Sequence, residues 1–170
     1  MTTSAPRTVA VFGASGRTGR ALLAVAKAEG VLVRALYRPQ SAPQISAPNV
    51  SVIAGDLRTA VDVGRTLAVA KAVVCVFGPR VTVPDAFCAD ATAVIVEEMR
   101  RNVIGRLVCV TGAMIGDGAG CRSMVMELFT RVVARRYPAV AADRARQEEI
   151  VQESGLDWLI VKPPRLTDHP

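Results

Sequence analysis

The chain has 170 residues, enough for one domain with a sizeable core, and 51% of them are hydrophobic while only 4% are aromatic. The formal net charge is +6, yet the basic residues are scattered, with the densest clusters at Arg100-Arg101 and Arg131 to Arg136. No recognition motif accompanies that charge and no apolar run is long enough to cross a bilayer, which argues against nucleic-acid and membrane partners and leaves an anionic cofactor as the simpler account.

The four cysteines have no metal spacing and the single histidine, His169, lies two residues from the end, so no metal site is expected. No basic-flanked apolar leader opens the chain, and the expectation is a cytoplasmic protein. Residues 1–6 read as a loose arm, and 167–170 as a loose tail.

A first strand is predicted over Thr8–Phe12 and a helix over Arg17–Glu29, joined by Gly13-Ala14-Ser15-Gly16-Arg17-Thr18-Gly19. A strand, a glycine-rich turn and a helix in that order make a phosphate site. Gly13 and Gly16 let the backbone turn sharply and approach an anion, and Gly19 lets the helix pack closely. The N–H groups of the first helical turn and the positive end of the macrodipole would then face a pyrophosphate.

The second strand is predicted over Leu32–Tyr37. In a dinucleotide-binding fold its end meets the adenosine ribose, where an acid selects NAD and a base accommodates the 2′-phosphate of NADP. Here the position holds Tyr37-Arg38 with no acid nearby. Arg38 can present a planar fork to that phosphate, with Arg17 approaching from the other side. The bland alternative is two solvated arginines. Gln40 to Asn49, with Pro43 and Pro48, reads as a loop, so the crossover to the third strand, Val50–Ala54, is thin.

After the third strand, Asp56 can accept from the adenine amino group while Leu57 packs on the ring; capping of the next helix by Asp56 or Thr59 is the competing role. That helix is predicted over Ala60–Val69 and the fourth strand over Ala72–Phe77. Phe77-Gly78-Pro79 then stands at the carboxyl edge of the sheet, where Gly78 would permit close approach of a cofactor or merely form a turn. Helices at Ala86–Arg101, Ser123–Arg135 and Ala141–Glu153 and strands at Leu107–Thr111 and Trp158–Val161 complete the pattern, with Gly30 and Gly155 placed to end helices. Cys75 and Cys109 fall inside apolar runs as buried thiols, whereas Cys88 and Cys121 are isolated. On the last helix, Asp143, Arg144 and Glu148 read as a solvated face, with Arg144 and Glu148 four apart as an ion pair.

Strands alternating with helices predict an α/β class: a doubly wound parallel sheet of Rossmann type in three α/β/α layers, strand order 3-2-1-4-5-6, forming a single NAD(P)-binding domain over residues 1–170.

The segments GASGRTG, LYRP, GDL, VFG, LVCVTGA and ESGLDWLIVKPPRLTD together resemble the atypical short-chain dehydrogenase/reductases, and within them the NAD(P)H-binding flavin reductase/biliverdin reductase B-like and NmrA-like members. The resemblance implies NADP(H) as cofactor. It implies cofactor-binding roles for Gly13, Ser15, Gly16, Arg17, Thr18, Gly19, Arg38, Asp56, Leu57, Phe77 and Gly78, and a nicotinamide end lined by Thr111, Gly112, Ala113, Pro163 and Pro164.

Two departures qualify it. Short-chain dehydrogenases that use a Tyr-x-x-x-Lys pair place the lysine so that it lowers the tyrosine pKa, but Tyr137 is followed four residues later by Ala141, and a serine of some relatives is replaced by Gly112. The chain also stops soon after Pro163-Pro164-Arg165, where relatives usually continue through a further strand and helix, so it reads as a shortened or truncated member. That leaves Trp158–Val161 at an open edge and apolar surface suited to a homodimer.

Flavin reduction tolerates the missing tyrosine, because hydride passes between stacked rings and the proton can come from water. The reading is therefore an NADPH-dependent oxidoreductase acting on a flavin, quinone or similar planar acceptor, flavin being one candidate substrate. Thr111 could bond the nicotinamide carboxamide, orient an acceptor, or simply satisfy a strand end, and Tyr137, Asp143 and Glu148 are candidate proton donors. The alternative is a non-catalytic NADP(H)-binding redox sensor or regulator.

Overall fold

In the computed structural model, which describes residues 7–41, 47–79, 86–112 and 135–163, the strands β1 (Thr8–Phe12), β2 (Leu32–Tyr37), β3 (Val50–Ala54), β4 (Ala72–Cys75), β5 (Arg106–Val110) and β6 (Asp157–Val161) form one sheet. Its order is β3-β2-β1-β4-β5-β6 with every neighbouring pair parallel, as expected for a Rossmann sheet. The helices are α1 (Arg17–Ala28), α2 (Ala60–Leu67), α3 (Cys88–Arg101) and α4 (Pro138–Gln152).

Three strands, β1, β2 and β3, keep the bounds predicted for them. The strand predicted through Phe77 ends at Cys75, and the one predicted from Leu107 starts at Arg106. The last helix begins three residues before the expected Ala141, because Pro138 occupies its first turn, where a missing N–H and a fixed φ cost nothing. The helix predicted over Ser123–Arg135 lies outside the described residues apart from Arg135 itself. The β2–β3 crossover is thin where it is described, a short 3-10 turn over Pro39–Ser41.

Alternation along the strands divides the core between the two faces of the sheet. Ala10, Phe12, Val73, Cys75, Leu107 and Cys109 point to one face and pack with Val63, Leu67, Ile95, Met99 and Val151 from α2, α3 and α4. Val9, Val11, Val33, Ala35 and Val74 point to the other and pack with Leu22, Leu23 and Ala26 of α1. Each inward residue removes apolar surface from water at about 25 cal/mol per Å², and a parallel sheet covered on both sides needs the run of small and β-branched residues seen here. At the β6 edge Trp158, Leu159 and Val161 remain exposed.

Gly30 and Gly155, predicted to end helices, have φ of 64° and 69°. Among the described residues no helix is long and apolar enough to cross a membrane, and no cluster of His, Cys, Asp and Glu could hold a metal ion.

Candidate cofactor site

The carboxyl ends of β1 to β4 open onto a cleft of about 410 Å³ lined by Gly13, Ser15, Gly16, Leu36, Arg38, Gly55, Asp56, Leu57, Arg58, Val76, Phe77, Gly78 and Phe87. A ligand crevice at the point where strand order reverses is the rule for open α/β sheets. The floor is the turn from β1 into α1. Gly13 has φ of +94°, and a Cβ there would lie 2.6 Å from the Phe77 nitrogen. A Cβ on Gly19 would strike the Gly13 carbonyl oxygen and Ala14. Any side chain at either position would therefore push the turn off β4 or lift α1 from the turn.

Gly16 is the N-cap of α1, no side chain caps the helix, and its first turn holds no acid. The first intrahelical bond described there runs from the Arg20 N–H to the Gly16 carbonyl at 2.9 Å, so the Thr18 and Gly19 N–H groups lie ahead of it. Gly16 lines the cleft whereas Thr18 and Gly19 do not, and an uncapped helix start without an acid beside the cleft suits an anion. The fit with a dinucleotide pyrophosphate rests on that uncapped end and on the absence of Cβ atoms from its approach.

Arg38 is exposed at the mouth of the cleft, directly after buried Tyr37, whose phenol is pushed up by burial. Arg17 is exposed on the first turn of α1 and does not line the cleft. Asp56 and Leu57 line the cleft on the opposite wall. Asp56 accepts from the Arg58 N–H at 2.9 Å and meets the Arg58 guanidinium at 3.0 and 3.2 Å. That hydrogen bonding, and to a lesser degree the charge of Arg38, holds the Asp56 carboxyl below its usual range. Neither Asp56 nor Thr59 caps α2: Thr59 stands at the N-cap without a side-chain bond. Instead Asp62, on α2, accepts from the Asp56 N–H at 3.0 Å and fixes the loop from the helix side.

Phe77 is buried, with its ring centroid 5.9 Å from that of Phe87, and Gly78 is exposed on the cleft wall. Leu36, Gly55, Arg58 and Phe87 were not singled out from sequence. Arg58 was legible in principle, since it follows Asp56 by two residues, the spacing of an Asx turn.

Behind this wall the structure corrects the reading of α4. Arg144 and Glu148 are not on a solvated face, and they do not pair with each other. Arg144 is 5% exposed and Glu148 4%. Arg144 donates to the Phe77 carbonyl at 3.2 Å, to Gln147 Oε1 at 2.6 Å and to the Val110 carbonyl at 3.4 Å, joining the ends of β4 and β5. Gln147 in turn donates to Thr92 Oγ1 at 2.9 Å. Asp143 is half-buried and accepts from the Cys88 and Ala89 N–H groups at 2.9 and 3.0 Å, capping α3 from outside it.

Glu148 accepts from Thr111 Oγ1 at 2.7 Å and pairs with Lys162 Nζ at 2.7 Å. The spacing of Arg144, Gln147, Glu148 and Val151 is that of one helical stripe, but a polar stripe reads as an outward one until its partners are seen. Tyr137 stands at the N-cap of α4 with Arg136 5.0 Å over its ring. Thr111, Gly112 and Pro163 are described, Thr111 just beyond the end of β5, whereas Ala113 and Pro164 lie outside the described residues. Thr111 and Tyr137 do not line the cleft wall described above.

Solved structures agree on the fold. The chain is similar to ChuY, an anaerobillin reductase from Escherichia coli, at 23% identity, TM-score 0.74, covering 92% of this chain and 72% of that one. It is similar to a short-chain dehydrogenase/reductase from Veillonella parvula in complex with NADP at 19% identity, TM-score 0.75, covering 92% and 68%. A putative exported protein from Burkholderia pseudomallei matches at 28% identity, TM-score 0.67, covering 89% and 69%. The family model described as NAD(P)H-binding matches residues 13–170. That match runs from the first glycine of the β1–α1 turn to the end of the chain, and the protein belongs to the NAD(P)H-binding family.

Proposed function

We propose that this protein is an NADPH-dependent oxidoreductase that passes hydride to a flavin, quinone or similar planar acceptor. The observation that carries the reading is the uncapped start of α1 at the base of a cleft whose mouth holds Arg38 and no unpaired acid among the lining residues. The α1 amides would hold the pyrophosphate and Arg38 the 2′-phosphate; Leu57 would pack on the adenine. Asp56, already engaged by Arg58, would reach the adenine amino group only with its remaining lone pairs. Phe77 and Gly78 would bound the middle of the cofactor, and Thr111, Gly112 and Pro163 its nicotinamide end. Bound NADPH supplies the hydride.

The protein's part is then to fix the geometry and exclude water, which serves an acceptor whose accompanying proton can come from solvent. Two structural relatives, one a reductase and one in complex with NADP, agree with this direction. The missing Tyr-x-x-x-Lys pair favours a second reading, a non-catalytic NADP(H)-binding redox sensor.

Calorimetric titration with NADPH, followed by the nicotinamide absorbance after addition of FMN or a quinone, separates the two. Oxidation of NADPH that requires both protein and acceptor supports the reductase. Tight binding with no turnover across planar acceptors supports the sensor, and no binding removes both.

A further inference from the structure

Thr111, Glu148 and Lys162 come from three separate elements and meet in one line at the carboxyl edge of the sheet. Thr111 directly follows β5, and its N–H donates to the Val161 carbonyl of β6 at 3.0 Å. Lys162 is the next residue after that carbonyl, and Glu148 reaches between the two from α4. Val110, which precedes Thr111, is tied through Arg144 to Phe77 on the cleft wall. The cluster does not line the described cleft, and on the NADP(H) reading above it would stand beyond Phe77, toward the nicotinamide end of the cofactor.

A carboxylate only accepts, and a threonine hydroxyl has a single proton. At 2.7 Å from Glu148 Oε1, the Thr111 hydroxyl has committed that proton to Glu148. Its oxygen can then only accept from any further group. The other Glu148 oxygen is held by Lys162, an ammonium with donors alone, so neither end of the carboxylate can be replaced by a donor without conflict.

We propose that Glu148 and Lys162 are positioning residues that fix the Thr111 hydroxyl as an acceptor, so that Thr111 recognises the amino group of the nicotinamide carboxamide rather than its carbonyl. The inference rests on the NADP(H) reading above and goes beyond it by assigning a polarity to one contact and two residues that impose it. It also gives Thr111 no proton to deliver to an acceptor.

The experiment compares NADP+ with its 3-acetylpyridine analogue, in which the carboxamide amino group is a methyl group and the carbonyl is kept, by calorimetric titration. The wild-type protein is expected to bind the analogue about tenfold more weakly, the loss of one hydrogen bond from a buried site. Thr111→Ser keeps that ratio and Thr111→Val brings it to about one, by weakening NADP+ alone.

In Glu148→Gln, Lys162 draws the amide oxygen and turns the amide N–H groups to Thr111. The hydroxyl proton is released outward and the two ligands bind alike. Glu148→Gln/Lys162→Met frees the amide to turn back, and the ratio recovers, which a merely structural pin would not produce.

A wild-type ratio of one overturns the proposal and needs no variant to fold. A ratio unchanged in a folded Glu148→Gln overturns the role of Glu148. Failure of every form to bind NADP+ instead removes the cofactor reading itself.

Discussion

Arg38 sits on β2's last turn into the cleft mouth, exposed, while Asp56, the nearest acid of the lining, is held by Arg58. A charge-assisted bond from Arg38 to a 2′-phosphate should contribute about 1.5–3 kcal/mol, so Arg38→Ala is expected to weaken NADPH about tenfold to a hundredfold and to leave NADH unchanged. Equal losses for the two cofactors in parallel titrations would remove the 2′-phosphate assignment. Val103 makes a different kind of test. It follows α3 with φ of 55°, is 92% exposed, and precedes the Ile104 N–H bond to the Met99 carbonyl at 2.9 Å, the geometry of a Schellman end that usually carries glycine. Replacing a β-branched residue there relieves about 1–2 kcal/mol of strain, less the extra freedom glycine has when unfolded. Val103→Gly should therefore stabilise by about 0.5–1 kcal/mol in urea, and a destabilised variant would contradict the left-handed turn.

Two helices show how far sequence pattern carries. For α1 the glycines, the uncapped start and the apolar stripe agree, and the element stands where the pattern placed it, ending one residue early. For α4 the pattern placed the helix and misjudged its face. Asp143, Arg144, Gln147 and Glu148 each find partners contributed by α3 or by the segments at and after the ends of β4, β5 and β6, at sequence separations that no local rule sees. The consequence for α3 is measurable. Its N-cap, Phe87, has no side-chain bond to offer, and Asp143 supplies the cap from α4. Asp143→Ala is expected to cost about 1–2 kcal/mol of global stability, as removal of an N-cap does, read from urea midpoints. A change below about 0.5 kcal/mol would mean that the two N–H groups are satisfied some other way.

Across the whole molecule, the buried thiols make stability depend on pH on the alkaline side. Burial pushes Cys88 from its ordinary 9.0 to about 12 and Cys109 to about 11, and pushes Cys75 well above that ordinary value, with the charge of Cys109 adding to it. A folded pKa raised above the unfolded one means that the native state keeps protons the unfolded chain has lost. The contribution is whole below about pH 9 and falls as pH rises toward the folded values, by up to about 1.4 kcal/mol per pH unit for each thiol. Urea midpoints should decline from about pH 9 to 11, and a flat profile would show that these thiols ionise in place.

The same packing decides how much the sequence could say. The alternating elements, the glycine turn and the bases near it follow from local periodicity and from which residues can adopt a sharp, uncrowded backbone, so they were legible in the chain, and the strand order followed from the fold-level rule for doubly wound sheets. The cap on α3 and the Thr111–Glu148–Lys162 line join residues up to 55 positions apart. Only the folded sheet brings them together, because whether a charged side chain faces water or a partner is set by what packs over it.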